Sequence, residues 1–133
     1  MLLRMPLILL VDDSKTMRLV LRTHLTSLGC DFVEAESGRS ALTLLAGPNE
    51  IELVISDIRM AGIDGLELVR TIRGHEDFGT RVGIVLISGD HSATIRARSF
   101  LAGADGFLEK PVDPEKLRRL VNELLASTGA TER

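Results

Sequence analysis

Short, almost uninterrupted apolar runs that each stop at a polar or acidic residue restrict the fold of this chain more than any other feature of its sequence. Leu7–Val11 runs into Asp12 and Asp13, residues 51–56 run into Asp57, and residues 82–87 run into Ser88. Runs of five or six such residues fit strands covered on both faces, the situation of a parallel sheet. Residues 30–36, with Phe32 and Val33, and residues 106–109 read as two further strands.

The intervening stretches carry helical periodicity. Ser14 can cap a helix through Leu28, with Met17, Val20, Leu21, Leu25 and Leu28 on one side and Gly29 as a left-handed stop. Ser37 can cap Gly38–Ala46 before the break at Gly47-Pro48-Asn49, and Leu66, Val69 and Ile72 form a stripe over residues 66–73. A fourth helix is expected over residues 92–102, ended by Gly103, and a fifth from Asp113-Pro114 to about Ala126. Strands alternating with helices imply a parallel sheet, because its crossovers place helices on both faces. One α/β domain is expected over residues 1–126 and a short polar tail over 127–133, with no repeat, low-complexity tract or linker.

Composition narrows the function. A chain of 133 residues, 44% hydrophobic, supports one core and not two. The net charge of −3 argues against a phosphate-backbone binder, and 3% aromatic residues without Trp or Tyr leave too few rings to stack bases, so no direct nucleic-acid partner is expected. A lone cysteine, Cys30, has no internal disulfide partner, reads as a small core residue and fits a reducing, cytoplasmic setting. The first eleven residues imitate a signal peptide, but Asp12 and Asp13 cut the apolar run and no small-residue cleavage site follows. No run is long enough to span a membrane, so no membrane partner is expected.

In an open parallel sheet, functional groups gather beyond the carboxyl ends of the strands. Asp12, Asp13, Asp57, Ser88 and Lys110 all fall there, delivered by four separate segments. Any one of these acids alone is most simply a helix cap or turn residue, Lys110 alone a surface charge and Ser88 alone a turn residue. Their joint placement points to chemistry. Clustered carboxylates repel unless a cation lies among them, and hard oxygen ligands suit Mg²⁺. With a metal present, Asp57 can act as a carboxylate nucleophile toward phosphorus while Ser88 and Lys110 neutralise the phosphoryl oxygens. Gly62 and Gly65 let backbone approach the site. His24, His75 and His91 lack metal-ligand spacing, and none reads as a ligand or base.

The ordered set Leu9-Leu10-Val11-Asp12-Asp13, Ser56-Asp57-Ile58-Arg59-Met60 with Gly65, Leu86-Ile87-Ser88-Gly89, and Gly103 to Pro111 strongly resembles the receiver domains of two-component response regulators, over about residues 6–126. The resemblance implies a flavodoxin-like, doubly wound five-stranded sheet of five βα units in the order 2-1-3-4-5. It implies a phosphoryl group taken onto Asp57 from a histidine kinase or a phosphotransfer protein. Mg²⁺ would be held directly by Asp13, Asp57 and the Arg59 carbonyl, and by Asp12 largely through water, with Ser88 and Lys110 touching the phosphoryl group and Lys110-Pro111 in the cis form. The Ser88 hydroxyl and the Phe107 ring would switch together, and the face of the fourth helix, fifth strand and fifth helix would signal to a downstream protein. Without an output domain in the sequence, a stand-alone signalling role is expected, either direct or as a relay.

Three positions depart from the family pattern: Ala61 stands at a usual proline, Ser88 at a commoner threonine and Phe107 at a frequent tyrosine. A ring with no hydroxyl is expected to favour its inward position. Arg59 and Asp90, each two residues beyond a site residue, are expected to flank the path of the hydrolytic water and to pair across the rim. Ile95, Phe100 and Leu101 do not share one helical stripe, so one of them must leave the core; Arg96 and Phe100, four apart, share a face that on the resemblance borders Phe107, and Phe100 with Phe107 is expected on the output face. An alternative is a Mg²⁺-dependent phosphatase or phosphotransferase with Asp57 as nucleophile, although that chemistry commonly wants its nucleophile after the first strand and a cap over the substrate. A flavodoxin-like cofactor binder would want a phosphate-cradling loop after the first strand, where Asp12 and Asp13 repel phosphate.

Overall fold

The computed structural model describes residues 5–127. Five parallel strands, β1 (Leu7–Val11), β2 (Asp31–Ala35), β3 (Ile51–Asp57), β4 (Gly83–Ser88) and β5 (Gly106–Glu109), form one sheet in the order β2-β1-β3-β4-β5. Helices α1 (Lys15–Leu25), α2 (Gly38–Ala46), α3 (Gly65–Arg73), α4 (Ala93–Ala102) and α5 (Pro114–Ser127) cross between and follow the strands. This is the flavodoxin-like α/β architecture expected from the motifs. α5 includes Ser127, one residue beyond the expected domain end, and the rest of the expected tail lies outside the described residues.

The apolar runs are strands because their alternate side chains are buried on opposite faces. Ile8 and Leu10 pack with Leu53, Ile55, Val85 and Ile87 beneath Leu21 and Leu25 of α1 and Leu117 and Val121 of α5. Leu9 and Val11 pack with Val54, Ile84 and Leu86 against α2 and α3, through Ala41, Leu45, Val69 and Ile72. The alternation breaks once. Leu7 pairs with Ile51 but Ile8 pairs with Leu53, so Ile51 joins the same cluster as Val54.

Helix ends follow the local chemistry. The Ser14 hydroxyl accepts the Met17 N–H at 3.2 Å, Ser37 and Ser40 cap α2 reciprocally, and the Asp113 carboxylate accepts the Glu115 N–H at 2.9 Å ahead of α5. Asp64, not foreseen as a cap, accepts the Glu67 N–H at 2.8 Å and starts α3 one residue earlier than the apolar stripe suggests. α1 stops at Leu25 instead of Leu28; the chain tightens into a 3₁₀ turn over Thr26–Leu28, ending at Gly29 with φ of 71°.

Candidate functional site

Strand ends place the polar groups. β1 hands the chain to Asp12, whose N–H bonds the Ala35 carbonyl of β2 at 3.1 Å, so the residue is fixed between two strands with only 2% of its surface exposed. Asp57 closes β3 and Ser88 closes β4, both buried, while Asp13 is exposed. Lys110 follows β5, its N–H bonds the Ser88 carbonyl at 2.8 Å, and its peptide bond to Pro111 is cis.

These backbones bring the side chains together. Lys110 Nζ lies 3.1 Å from Asp57 Oδ1. Asp12, Asp13 and Asp57 each offer a carboxylate oxygen, all within 4.8 Å of one another. Burial pushes the Asp12 carboxyl above the usual carboxylate range; the Ser14 N–H, at 2.9 Å from Oδ1, opposes this, the Asp57 charge reinforces it, the Lys110 ammonium opposes it and Asp13 reinforces it. Three acids held this close, with the Lys110 ammonium group paired to Asp57 among the described residues, suit a hard cation bound through oxygen. The donor set fits such a metal.

Beside the acids, a cleft of about 390 Å³ is lined by Asp57, Arg59, Ser88, Asp90, Ile95 and Lys110. Arg59 and Asp90 thus reach the same cleft, but they form no ion pair among the described residues. Asp90 is held instead by its own loop: Oδ1 accepts the Ser92 N–H at 2.8 Å, and this bond foremost draws the carboxyl below the usual range, with the Arg59 and His91 charges contributing less. Ser88 Oγ accepts the Asp90 N–H at 2.9 Å and donates to the Asp90 carbonyl at 3.0 Å, so its hydroxyl faces its own loop.

Gly65 and Gly62 serve the site differently. A Cβ at Gly65 would stand 2.5 Å from the Asp57 carbonyl oxygen and 2.6 Å from the Ile58 Cα, so the start of α3 packs directly on the backbone carrying Asp57. Gly62 has open space around it and is required by its φ of 77°.

Two sets of contacts were not legible from the sequence, and a third, around Arg96, was expected there as a shared helix face bordering Phe107. Arg18 donates from Nη1 to the Asp12 carbonyl at 2.6 Å and pairs through Nε with Glu34 at 2.8 Å, bracing the first acidic loop from α1. A ring nitrogen of His91, Nε2, lies 2.8 Å from the Lys110 carbonyl, joining the β4–α4 loop to the segment after β5. Arg96 on α4 covers both Phe100 and Phe107; Phe107 is turned inward at 6% exposure, whereas Phe100 is 41% exposed.

The comparisons agree with this geometry. The family model for the response regulator receiver domain matches residues 8–122. A chemotaxis protein CheY homolog of Campylobacter jejuni is 32% identical over 126 residues, covering 94% of this chain and 95% of that protein. Among solved structures, a response regulator receiver protein from Pseudomonas putida superimposes with a TM-score of 0.81 at 39% identity, covering 90% of this chain and 97% of that one. The chemotaxis response regulator CheY4 of Vibrio cholerae does so with a TM-score of 0.82 at 28% identity, covering 91% and 99%. A family model spanning most of the chain, a full-length relative and the same strand order together show that this chain belongs to the response regulator receiver domain family.

Proposed function

We propose that the chain is a phosphoacceptor signalling protein that takes a phosphoryl group onto Asp57 from a histidine kinase or phosphotransfer protein, with Mg²⁺ as cofactor. The observation that carries this reading is the 3.1 Å approach of Lys110 Nζ to Asp57 Oδ1 within an otherwise acidic cluster. An Asp57 oxygen attacks phosphorus, the bond from phosphorus to the donor breaks, and the donor nitrogen or oxygen leaves with the electron pair. Lys110 offsets charge on the transferred group, and Ser88 donates its hydroxyl to it after giving up its bond to the Asp90 carbonyl.

Asp12, Asp13, Asp57 and the Arg59 carbonyl are the groups assigned to hold Mg²⁺, which would supply charge neutralisation at the acceptor and the phosphoryl oxygens. Burial of Asp12 and Asp57 excludes bulk water from one side of the acceptor. Arg59 and Asp90, lining the cleft on the open side, are assigned to govern how readily water reaches the phosphoryl group. Ser88 and Phe107 are assigned as the switch, and the face of α4, β5 and α5 as the surface that signals to a downstream protein.

The competing reading, a Mg²⁺-dependent phosphatase or phosphotransferase acting on a small metabolite, is less well supported because the shielded acid beside Lys110 closes β3, not β1. The two separate in one experiment. Incubation with acetyl phosphate and Mg²⁺, followed by intact mass, is expected to show one added phosphoryl group on the parent and none on Asp57→Asn. Labelling of Asp57→Asn would sink the assignment, and multiple turnover of a phosphorylated metabolite would favour the enzyme.

A further inference from the structure

α4 is bound to the fold in an unusual way: its only fully buried residue is Ser99, whose hydroxyl turns back to the Ile95 carbonyl at 2.8 Å. Arg96 and Phe100 form the flank toward β5. The opposite flank carries Thr94, Arg98 and Leu101, spaced i, i+4 and i+7, and Leu101 is 87% exposed. Together with Arg70 of α3, Arg98, Leu101 and Ala102 line a groove of about 240 Å³ between the two helices.

Neither Arg70 nor Arg98 has an ion-pair or hydrogen-bond partner for its side chain among the described residues. The groove is therefore an apolar side chain flanked by two uncompensated guanidinium groups, on a chain whose net charge is −3. Its walls are fixed in register. Arg73, at the end of α3, donates from Nε to the carbonyl of Gly103 at the end of α4 at 2.9 Å, and from Nη2 to Asp105 at 2.8 Å. A Cβ at Gly103 would stand 2.7 Å from Arg73 Cγ, so the clamp is closely packed as well as hydrogen-bonded. A groove already held in shape costs less to occupy than one formed on binding.

We propose that the α3–α4 groove docks an acidic segment of a partner protein, seating an aliphatic side chain on Leu101 and Ala102 while flanking carboxylates engage Arg70 and Arg98. Carboxylates match the planar fork of arginine in two-point hydrogen bonds, and the leucine supplies the contact that a bare anion cannot use. This surface is separate from the α4-β5-α5 face assigned above and stands without that assignment. It gives the chain a second place to hold a partner, one that does not involve Phe107.

The test uses the ¹⁵N-labelled, unphosphorylated chain and the blocked peptide Asp-Glu-Leu-Glu-Asp, with a serine-for-leucine version and a lysine-for-acid version as controls. Amide shifts are expected at Arg70, Arg98, Leu101 and Ala102 with the acidic peptide, smaller shifts with the serine version and none with the lysine version. Arg70→Glu with Arg98→Glu is expected to weaken binding about tenfold, two exposed charge pairs each being worth a fraction of a kcal/mol. Raising NaCl from about 50 mM to about 500 mM is expected to weaken it several-fold through screening. Both positions are exposed, so circular dichroism should show unchanged folding, and labelling by acetyl phosphate should be unaltered, which keeps failure here distinct from failure of the phosphoacceptor reading. Absence of shifts, shifts centred on Phe100 and Phe107, or indifference to the charge reversals would each overturn the proposal. So would concentration-dependent shifts at the groove without peptide, which would make the occupant a second copy, or stronger binding to phosphatidylglycerol vesicles than to the peptide.

Discussion

The Arg96 guanidinium lies over the buried Phe107 ring, 5.6 Å from its centroid. Phe100, on the same side of α4, packs under the same cation at 5.3 Å. The sandwich ties α4 to β5 through a contact that needs no hydroxyl on the ring.

Loss of this cation should loosen Phe107 by a measurable amount. An exposed cation–π contact is worth about 0.5–1 kcal/mol, so Arg96→Ala should change the balance between inward and outward rings about two- to fivefold. Phe107→Tyr adds a hydroxyl that gains by reaching water and should favour the outward position, shifting the protein away from the state competent for its partner. Backbone and aromatic NMR shifts with and without phosphorylation, alongside Phe100→Ala, measure both effects. No change in any of the three variants means that the face has been misread.

Metal binding should depend on the acidic cluster and on pH. Asp13→Ala and Asp57→Ala are each expected to weaken Mg²⁺ binding about tenfold or more in a titration, since each removes one of few charged oxygens. Undiminished affinity in both would reject the site. Without metal, the raised Asp12 pKa means that the folded state binds the proton more tightly than the unfolded one. The Asp12 contribution is then absent below its unfolded pKa of about 3.9, turns destabilising as pH rises through the folded value, and is fully unfavourable above it. Asp12→Asn should remove that contribution, so its metal-free stability between about pH 7 and pH 4 should follow a different slope from the parent's. Identical slopes would count against the assigned cause.

Arg59 and Asp90 share the cleft and form no ion pair among the described residues, although the Arg59 charge helps hold the Asp90 carboxyl below its usual range. Arg59→Ala and Asp90→Ala are each expected to change the dephosphorylation rate, and the departure of the double variant from the sum of the two measures their electrostatic coupling across the cleft. Parent-like rates in both single variants would remove these residues from any role in phosphoryl lifetime.

Gly65→Ala should be costly out of proportion to its size. The added methyl group meets the Asp57 carbonyl and the Ile58 Cα, both backbone, so either α3 or the end of β3 must move. A loss of about 1–3 kcal/mol is expected by urea unfolding, with reduced phosphorylation of the surviving folded protein. Gly62→Ala, strained by φ alone, should lose about 1–2 kcal/mol with less effect on phosphorylation.

Sequence reasoning reached whatever is written in contiguous residues. The runs leading into Asp12, Asp57 and Ser88 declared both their strands and the rim where those strands end, because burial on both faces leaves an unmistakable apolar stretch. The break in alternation at Ile51 and Leu53 left no trace, since it arises from pairing with β1. The Arg18–Glu34 pair and the approach of His91 to the Lys110 carbonyl join residues sixteen and nineteen positions apart, and an ordinary surface arginine or loop histidine looks the same in a sequence. α4 lies between these cases. Its lack of a stripe announced that one of Ile95, Phe100 and Leu101 would leave the core, but only the packing reveals that both Phe100 and Leu101 are exposed and that a serine occupies the buried position.

That serine sets the helix apart kinetically. α3 buries Leu66, Leu68, Val69 and Ile72, and α5 buries Leu117, Val121 and Leu125, so releasing either exposes aliphatic core to water. Releasing α4 frees no fully buried aliphatic side chain of its own; it exposes Ser99, whose hydroxyl is already bonded within its own turn, the partly buried Ile95 and Ala102, and the Phe107 ring beneath Arg96. Its amides should therefore exchange hydrogen through local openings well below the global unfolding energy, while those of α3 and α5 wait for the whole domain to open. A helix held by partly buried side chains is therefore the one expected to open first while the rest of the domain stays folded.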